Sequence, residues 1–125
     1  LVIHMTTEKT LPRVIRFDDL VFQPRQEKPE MAQLAEIVGE EDGTPLGAGY
    51  ARLNQARIEW TVLYDEVVTV IEGSMRIHTP QGILEAGPRD CVWLPAGTPL
   101  IYEAESALIH YCLHPSNWAS ARTAA

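Results

Sequence analysis

Tyr64-Asp-Glu-Val-Val-Thr-Val-Ile-Glu-Gly73 and Asp90-Cys-Val-Trp-Leu-Pro-Ala-Gly97 decide the fold of this chain. Each is a short run of β-branched and aromatic residues closed by turn chemistry, Glu72-Gly73 in the first and Pro95-Ala-Gly97 in the second. Side chains alternate across a strand, so Glu66, Val68 and Val70 share one face. About twenty residues separate the two turns, which makes the segments two half-motifs of one small β-roll rather than an isolated hairpin.

Outward from these segments, the punctuation remains that of an all-β chain. Apolar runs at Ile58–Leu63, Val67–Ile71, Met75–His78, Gly82–Glu85, Cys91–Leu94, Leu100–Tyr102 and Leu108–Leu113 are split by Gly and Pro turns. Several strands at this spacing predict a sandwich or a jelly roll. Before them, Pro12–Phe17 is a candidate strand and Phe22–Pro29 an exposed connection. Met31–Val38 has helical propensity but leads into Gly39-Glu-Glu-Asp-Gly43, so a strand hairpin with Gly47–Leu53 is preferred. Pro115 and Asn117 introduce a closing segment from Trp118 that reads as a short terminal helix or a frayed tail.

Size and charge exclude several classes. A chain of 125 residues and 14.0 kDa supports one domain, read as 1–125 with its core at about 45–118. Residues 1–4, ahead of Met5, have the look of an expression scar. Ten basic against seventeen acidic side chains give −7, with no basic cluster, which argues against nucleic acid as partner. No apolar run approaches the roughly 18 residues of a membrane span, and no secretory signal opens the chain, so the expected location is cytoplasmic. Cys91 and Cys112 are read as reduced thiols.

The candidate chemistry sits around Glu66. Glu59, Thr61 and Leu63 share one strand face, and Trp60 and Val62 the other. With the Glu59 face turned inward, Glu59 and Glu66 converge in a cavity with a polar mouth and an apolar floor. Two carboxylates so placed raise one another's proton affinity or attract a cation. Tyr64, Tyr102 and His110 are candidate donors, and Trp60, Thr61, Tyr102 and His110 candidate ligand contacts. Asp65 is assigned to a turn, and Asp90 to a hydrogen bond across one. Either parity of the last strand, Leu108/His110/Cys112/His114 or Ile109/Tyr111/Leu113, could face inward.

These motifs resemble the cupin superfamily, and within it the ethanolamine-utilization EutQ branch. Pro45-Leu-Gly-Ala-Gly49, Trp60-Thr61, Tyr64-Asp-Glu66, Ile71-Glu-Gly73, Ala86-Gly-Pro88, Pro95-Ala-Gly97 and the closing Tyr111 to Trp118 carry the resemblance. It implies a jelly-roll barrel, usually a homodimer, and a link to ethanolamine catabolism in bacterial microcompartments, with microcompartment proteins as partners. The superfamily's metal positions, His-x-His, Glu and a later His, are assigned here to Glu59, Thr61, Glu66 and Leu100. No standard site is therefore expected, in keeping with that branch. Glu59, Glu66 and His110 remain the fallback set for a divalent metal such as zinc, iron, nickel or manganese. Arg89 stands where cupins often have Gly. An acetate kinase activity is associated with the family, but no glycine-rich phosphate loop is present here.

Three functions follow as expectations. The first is a barrel that binds a small metabolite. The second is an isomerase, lyase or hydrolase with Glu66 as base or ligand, Glu59 as its partner and Tyr64 as donor. The third is a non-catalytic assembly protein docking through the Trp118 segment.

Overall fold

The computed structural model describes residues 11–120, so residues 1–4 and the tail beyond Ser120 lie outside it. Eight antiparallel strands form: β1 (Gln23–Pro24), β2 (Ala32–Val38), β3 (Gly47–Thr61), β4 (Asp65–Gly73), β5 (Met75–Thr79), β6 (Gly82–Ala86), β7 (Cys91–Leu94) and β8 (Pro99–His114). Short 3₁₀ turns lie at Phe17–Asp19 and Glu40–Asp42.

Two long strands are the spine. β3 and β8 stay paired from Gly47↔Leu113 to Thr61↔Pro99. Beyond β8, the second half pairs with β4, from Ala107↔Gly73 to His114↔Asp65, while Ile101 to Glu103 pair with β5. The spine therefore serves two sheets, one ordered β1-β2-β3-β8-β4-β7 and one continuing through β5 to β6. This is an all-β jelly roll.

The spine changes sheet at a visible corner. Ala51 and Leu53 point inward before Gln55, whereas Ala56 and Ile58 do so after it. Gln55 takes a left-handed φ of 46°, which shifts the alternation by one residue. Opposite it, Glu105 and Ser106 are exposed between buried Ala104 and Ala107. The end of β4 presses against this corner. A Cβ on Gly73, at φ 77°, would lie 2.1 Å from the Ser106 carbonyl oxygen, so only glycine fits.

The two half-motifs are tied together directly. Asp65 Oδ1 accepts the Ala96 N–H at 2.9 Å, bridging thirty-one positions, a longer reach than the local turn expected of it. Asp90 caps its own turn by accepting the Gly87 N–H at 2.9 Å. Arg89 keeps the left-handed geometry usual for glycine, at φ 75°, and its N–H bonds to the Val70 carbonyl at 2.8 Å. Between the sheets lie Val62, Val68, Val70, Met75, Ile77 and Leu94, all nearly solvent-free.

Three expectations about elements change. Pro12–Phe17 forms no strand; the chain enters a 3₁₀ turn at Phe17 instead. The separate runs Leu100–Tyr102 and Leu108–Leu113 are one strand, as are Gly47–Leu53 and Ile58–Leu63 up to Thr61, because paired corner residues bend both chains without breaking the ladder. The β2–β3 hairpin forms as expected, with Leu34 opposite Ala51. Trp118 to Ser120 start a helical turn.

Candidate functional site

Glu66 is the one charged side chain buried among the described residues, at 6% exposure. Its strand alternates Glu66, Val68 and Val70 into the roll, as expected. Tyr102, inward from the first half of β8, donates its hydroxyl to Glu66 Oε1 at 2.9 Å. Tyr64, buried in the β3–β4 turn, accepts the Trp60 indole N–H at 3.3 Å. Trp118 then packs its ring on Trp60 and Tyr64, with centroids 5.7 and 5.1 Å away.

The closing segment is held down at several points. Ser116 donates its N–H to the Pro45 carbonyl at 2.8 Å and its hydroxyl to the Thr44 carbonyl, and Ser120 bonds Glu40 at 2.6 Å. From the other side, Arg25 follows β1, and its guanidinium stands 5.6 Å from the Trp60 ring centre. Its Nη1 donates to the Glu27 carbonyl at 2.6 Å. Trp60 is thus met by Trp118 from the closing segment and by Arg25 from the segment after β1.

Burial sets the electrostatics. It pushes the Glu66 carboxyl up to about 7, and the Tyr102 hydrogen bond offsets part of that rise. Burial, then the charge of Glu66, holds the Tyr64 and Tyr102 phenols well above their usual range. Tyr111 is pushed up to about 12 by burial, with Glu36 and Glu66 adding to it. All three phenols are therefore protonated donors at neutral pH. Glu66 Oε2 has no hydrogen-bond partner among the described residues. No side-chain oxygen sealed from solvent lacks one. Oε2 accordingly keeps some accessible surface, where a water molecule can reach it.

The expected convergence of Glu59 with Glu66 does not occur. Ile58, Trp60 and Val62 face inward, while Glu59 and Thr61 are exposed. Apolar side chains took the core face, and the alternation carried the polar ones outside. Glu59 and Thr61 instead border an outer groove of about 570 Å³ with His78, Pro80, Pro99 and Ile101. Beside it, His78 Nε2 lies 2.9 Å from Glu103 Oε1, and Arg57 meets the other carboxylate oxygen, Oε2, at 3.1 Å. His110 is on the outward parity of β8, stacked edge-on against Tyr50 at 5.0 Å. Burial lowers its pKa.

The structure thus joins Trp60, Tyr64, Glu66 and Tyr102, and separates Glu59, Thr61 and His110 from them. It adds Tyr111, Trp118 and Arg25. Tyr111 was detectable through its cross-strand partner Gly49, where a Cβ would lie 2.6 Å from the Tyr111 hydroxyl. Nothing in the sequence around Arg25 pointed to the mouth.

A family model described as "Ethanolamine utilisation protein EutQ" matches residues 14–120. The chain belongs to the EutQ family. It is 28% identical over 94 residues to the acetate kinase EutQ of Salmonella typhimurium LT2, covering 74% of this chain and 41% of that protein. The Clostridioides difficile acetate kinase EutQ is 27% identical over 81 residues, 64% of this chain and 52% of that one. The chain therefore spans between two fifths and about half the length of these relatives. Among solved structures, a putative ethanolamine utilization protein EutQ from Salmonella typhimurium LT2 superposes with a TM-score of 0.77 at 26% identity, covering 83% of this chain and 86% of that one. The polyketide cyclase RemF of Streptomyces resistomycificus shares the fold, with a TM-score of 0.73 at 14% identity, over 83% and 80% of the two chains.

The metal that cupins commonly hold does not fit these residues. The inward positions ahead of Glu66 are Trp60 and Val62, and the position after Pro95-Ala-Gly97 is buried Leu100. An indole and two aliphatic groups offer a cation no lone pair. The fallback set also fails as a cage, since Glu59 and His110 face outward while Glu66 faces in, and no group of three His, Cys, Asp or Glu gathers among the described residues.

Proposed function

We propose that this EutQ-family cupin domain binds a small polar metabolite inside the roll, at Glu66 and Tyr102 beneath Trp60, Tyr64 and Trp118. The single observation behind this reading is the buried carboxyl whose second oxygen has no protein partner. A buried ionisable group without a full hydrogen-bond set costs stability, and a site that binds is a common reason for its presence. Thermal-shift screening of small alcohols, amines and carboxylates against the native protein and Glu66→Gln tests it. A ligand that raises Tm in the native protein alone supports the site, because binding to the folded state raises apparent stability. No response from the native protein across all three classes overturns it.

A second reading is catalytic. A carboxyl near 7 beside protonated phenols is poised for general acid–base work, as in the isomerase, lyase or hydrolase alternative. Phosphoryl transfer, the chemistry in the relatives' names, calls for cations around phosphoryl oxygens. Among the described residues the one cation whose charge reaches the interior tyrosines is Arg25, so binding is the reading preferred over transfer.

Pairing of two copies is proposed through the outer face of β4 and β7. Val67, Ile71 and Trp93 are exposed there, beside Thr69 and Cys91, with Asp65 the charged side chain at the end of the same face of β4. On a molecule of net charge −7, a face this poor in charge is where two copies meet at the least Coulomb cost. A cytoplasmic setting and a role in ethanolamine catabolism within microcompartments extend the family reading.

A further inference from the structure

We propose that the ligand at Glu66 is a small organic ammonium, held by the open carboxylate oxygen within a wall of aromatic rings. This rests on the interior-site reading above and adds the charge and chemical class of the occupant.

Among the described residues Glu66 is the one buried charged group, and no cationic side chain bonds to it. Oε1 of Glu66 is met by a neutral phenol and Oε2 by no protein group among those described. Tyr102 bonds to it, Tyr64 and Tyr111 feel its charge, and Trp60 and Trp118 adjoin Tyr64. These groups carry no positive charge; among the described residues the positive charge that reaches Tyr64 and Tyr102 is Arg25, which is not bonded to Glu66. An N–H donor with its own charge would pair with Oε2 and offset the desolvation of the carboxylate.

The walls suit the same ligand. Aromatic rings attract cations through their negative faces, and a carboxylate ringed by Trp and Tyr is the arrangement by which proteins take up ammonium groups. The molecule already does this once, since the Arg25 guanidinium stands over the Trp60 ring. An anionic ligand would meet Glu66 directly and Glu36 near Tyr111. Among the described residues the one cation near Tyr64 and Tyr102, Arg25, gives its Nη1 hydrogen bond to the Glu27 carbonyl. Trp118 and Tyr64 lie in ring contact with each other, and Tyr64 is near enough to Glu66 to feel its charge, so a short chain or a bare head group is the occupant that suits them.

The test compares methylammonium, ethylammonium, acetate, propionate and propanol at matched ionic strength, by thermal shift and calorimetry. At pH 8 the alkylammonium ions should bind the native protein, binding should weaken at least tenfold in Glu66→Gln, and the acids and the alcohol should do nothing. In the native protein, lowering the pH to 5.5 should weaken ammonium binding by about tenfold or more as Glu66 takes up its proton. That arm stands even if Glu66→Gln fails to fold. Acetate, propionate or propanol binding in a Glu66-dependent way overturns the ammonium assignment and leaves the interior site intact. Ammonium binding that neither Glu66→Gln nor the lower pH weakens also overturns the assignment. Absence of binding by every probe overturns both readings.

Discussion

The hydroxyl of Tyr102 donates to Oε1 of Glu66 at 2.9 Å inside the roll, and it is the one protein hydrogen bond this carboxyl receives among the described residues. Burial outweighs it and holds the group near 7 against an ordinary 4.5. Between those values the folded chain keeps a proton that the unfolded chain releases. Stability therefore falls as pH rises from about 4.5 to about 7, and Glu66 adds no further slope above that, for a total of about 3 kcal/mol. Glu66→Gln keeps an acceptor for Tyr102 and removes the titration. Urea midpoints should then show the variant more stable than the native protein at pH 8 by about 1–3 kcal/mol, with the difference shrinking towards pH 5.

Tyr102→Phe removes the donor and leaves the carboxyl in place. Since that hydrogen bond favours the charged form, the Glu66 pKa should move above 7. The cost at pH 8 should be about 1–3 kcal/mol, as expected for a bond to a charged group, and smaller at pH 5. A carboxyl-detected NMR titration together with urea melts at both pH values checks the two effects separately.

Trp118 lies over Trp60 and Tyr64 at the mouth, so Trp118→Ala should let water reach the carboxyl. The Glu66 pKa should fall towards 4.5, because burial is the main cause of its rise. Lost ring packing should cost about 1–3 kcal/mol, less than a fully buried Trp, since this one is half-buried. An unchanged Glu66 titration would show that Trp118 does not close the site.

Much of the fold could be read from the chain because strands announce themselves by alternation and turns by Gly and Pro. Glu66, Val68 and Val70 alternate inward as read, and Gly73 and Gly97 sit at left-handed turns, φ 77° and 94°. The inward face of β3 was misassigned when a ligand template, Glu59-x-Thr61, was placed above the plainer signal of Ile58, Trp60 and Val62. An apolar parity states the core face more directly than an imported spacing does. Other features had no local signature. The corner at Gln55 depends on a facing strand fifty residues away in sequence, and Arg25 reaches the mouth only because β1 pairs with β2. Trp118 was read as a possible anchor for an outside partner, but its ring packs on its own barrel.

Two turns carry opposite conformational burdens. Arg89 holds φ 75° with a side chain that disfavours it, whereas Gly73 holds φ 77° where no side chain fits. Arg89→Gly should stabilise the fold by up to about 1 kcal/mol, the left-handed strain relieved exceeding the chain entropy that glycine adds. Gly73→Ala should destabilise by about 2 kcal/mol or more, since strain and the clash with the Ser106 carbonyl add. Thermal melts of the two variants should shift in opposite directions.

Trp93 is 58% exposed on β7, opposite Val67 of β4, with Cys91 two residues away on the same outer face. A Trp so placed serves an interface better than it serves a lone monomer, because its ring area gains nothing while wet. Trp93→Glu puts two like charges across a self-paired face while leaving the interior untouched. Sedimentation should find the native protein at twice the monomer mass and the variant at the monomer mass, with the Glu66 titration unchanged in any monomer that keeps its fold. A native protein sedimenting as a monomer would remove this face as a pairing surface. Loss of pairing together with a shifted Glu66 titration would instead mean that the second copy helps close the ligand chamber.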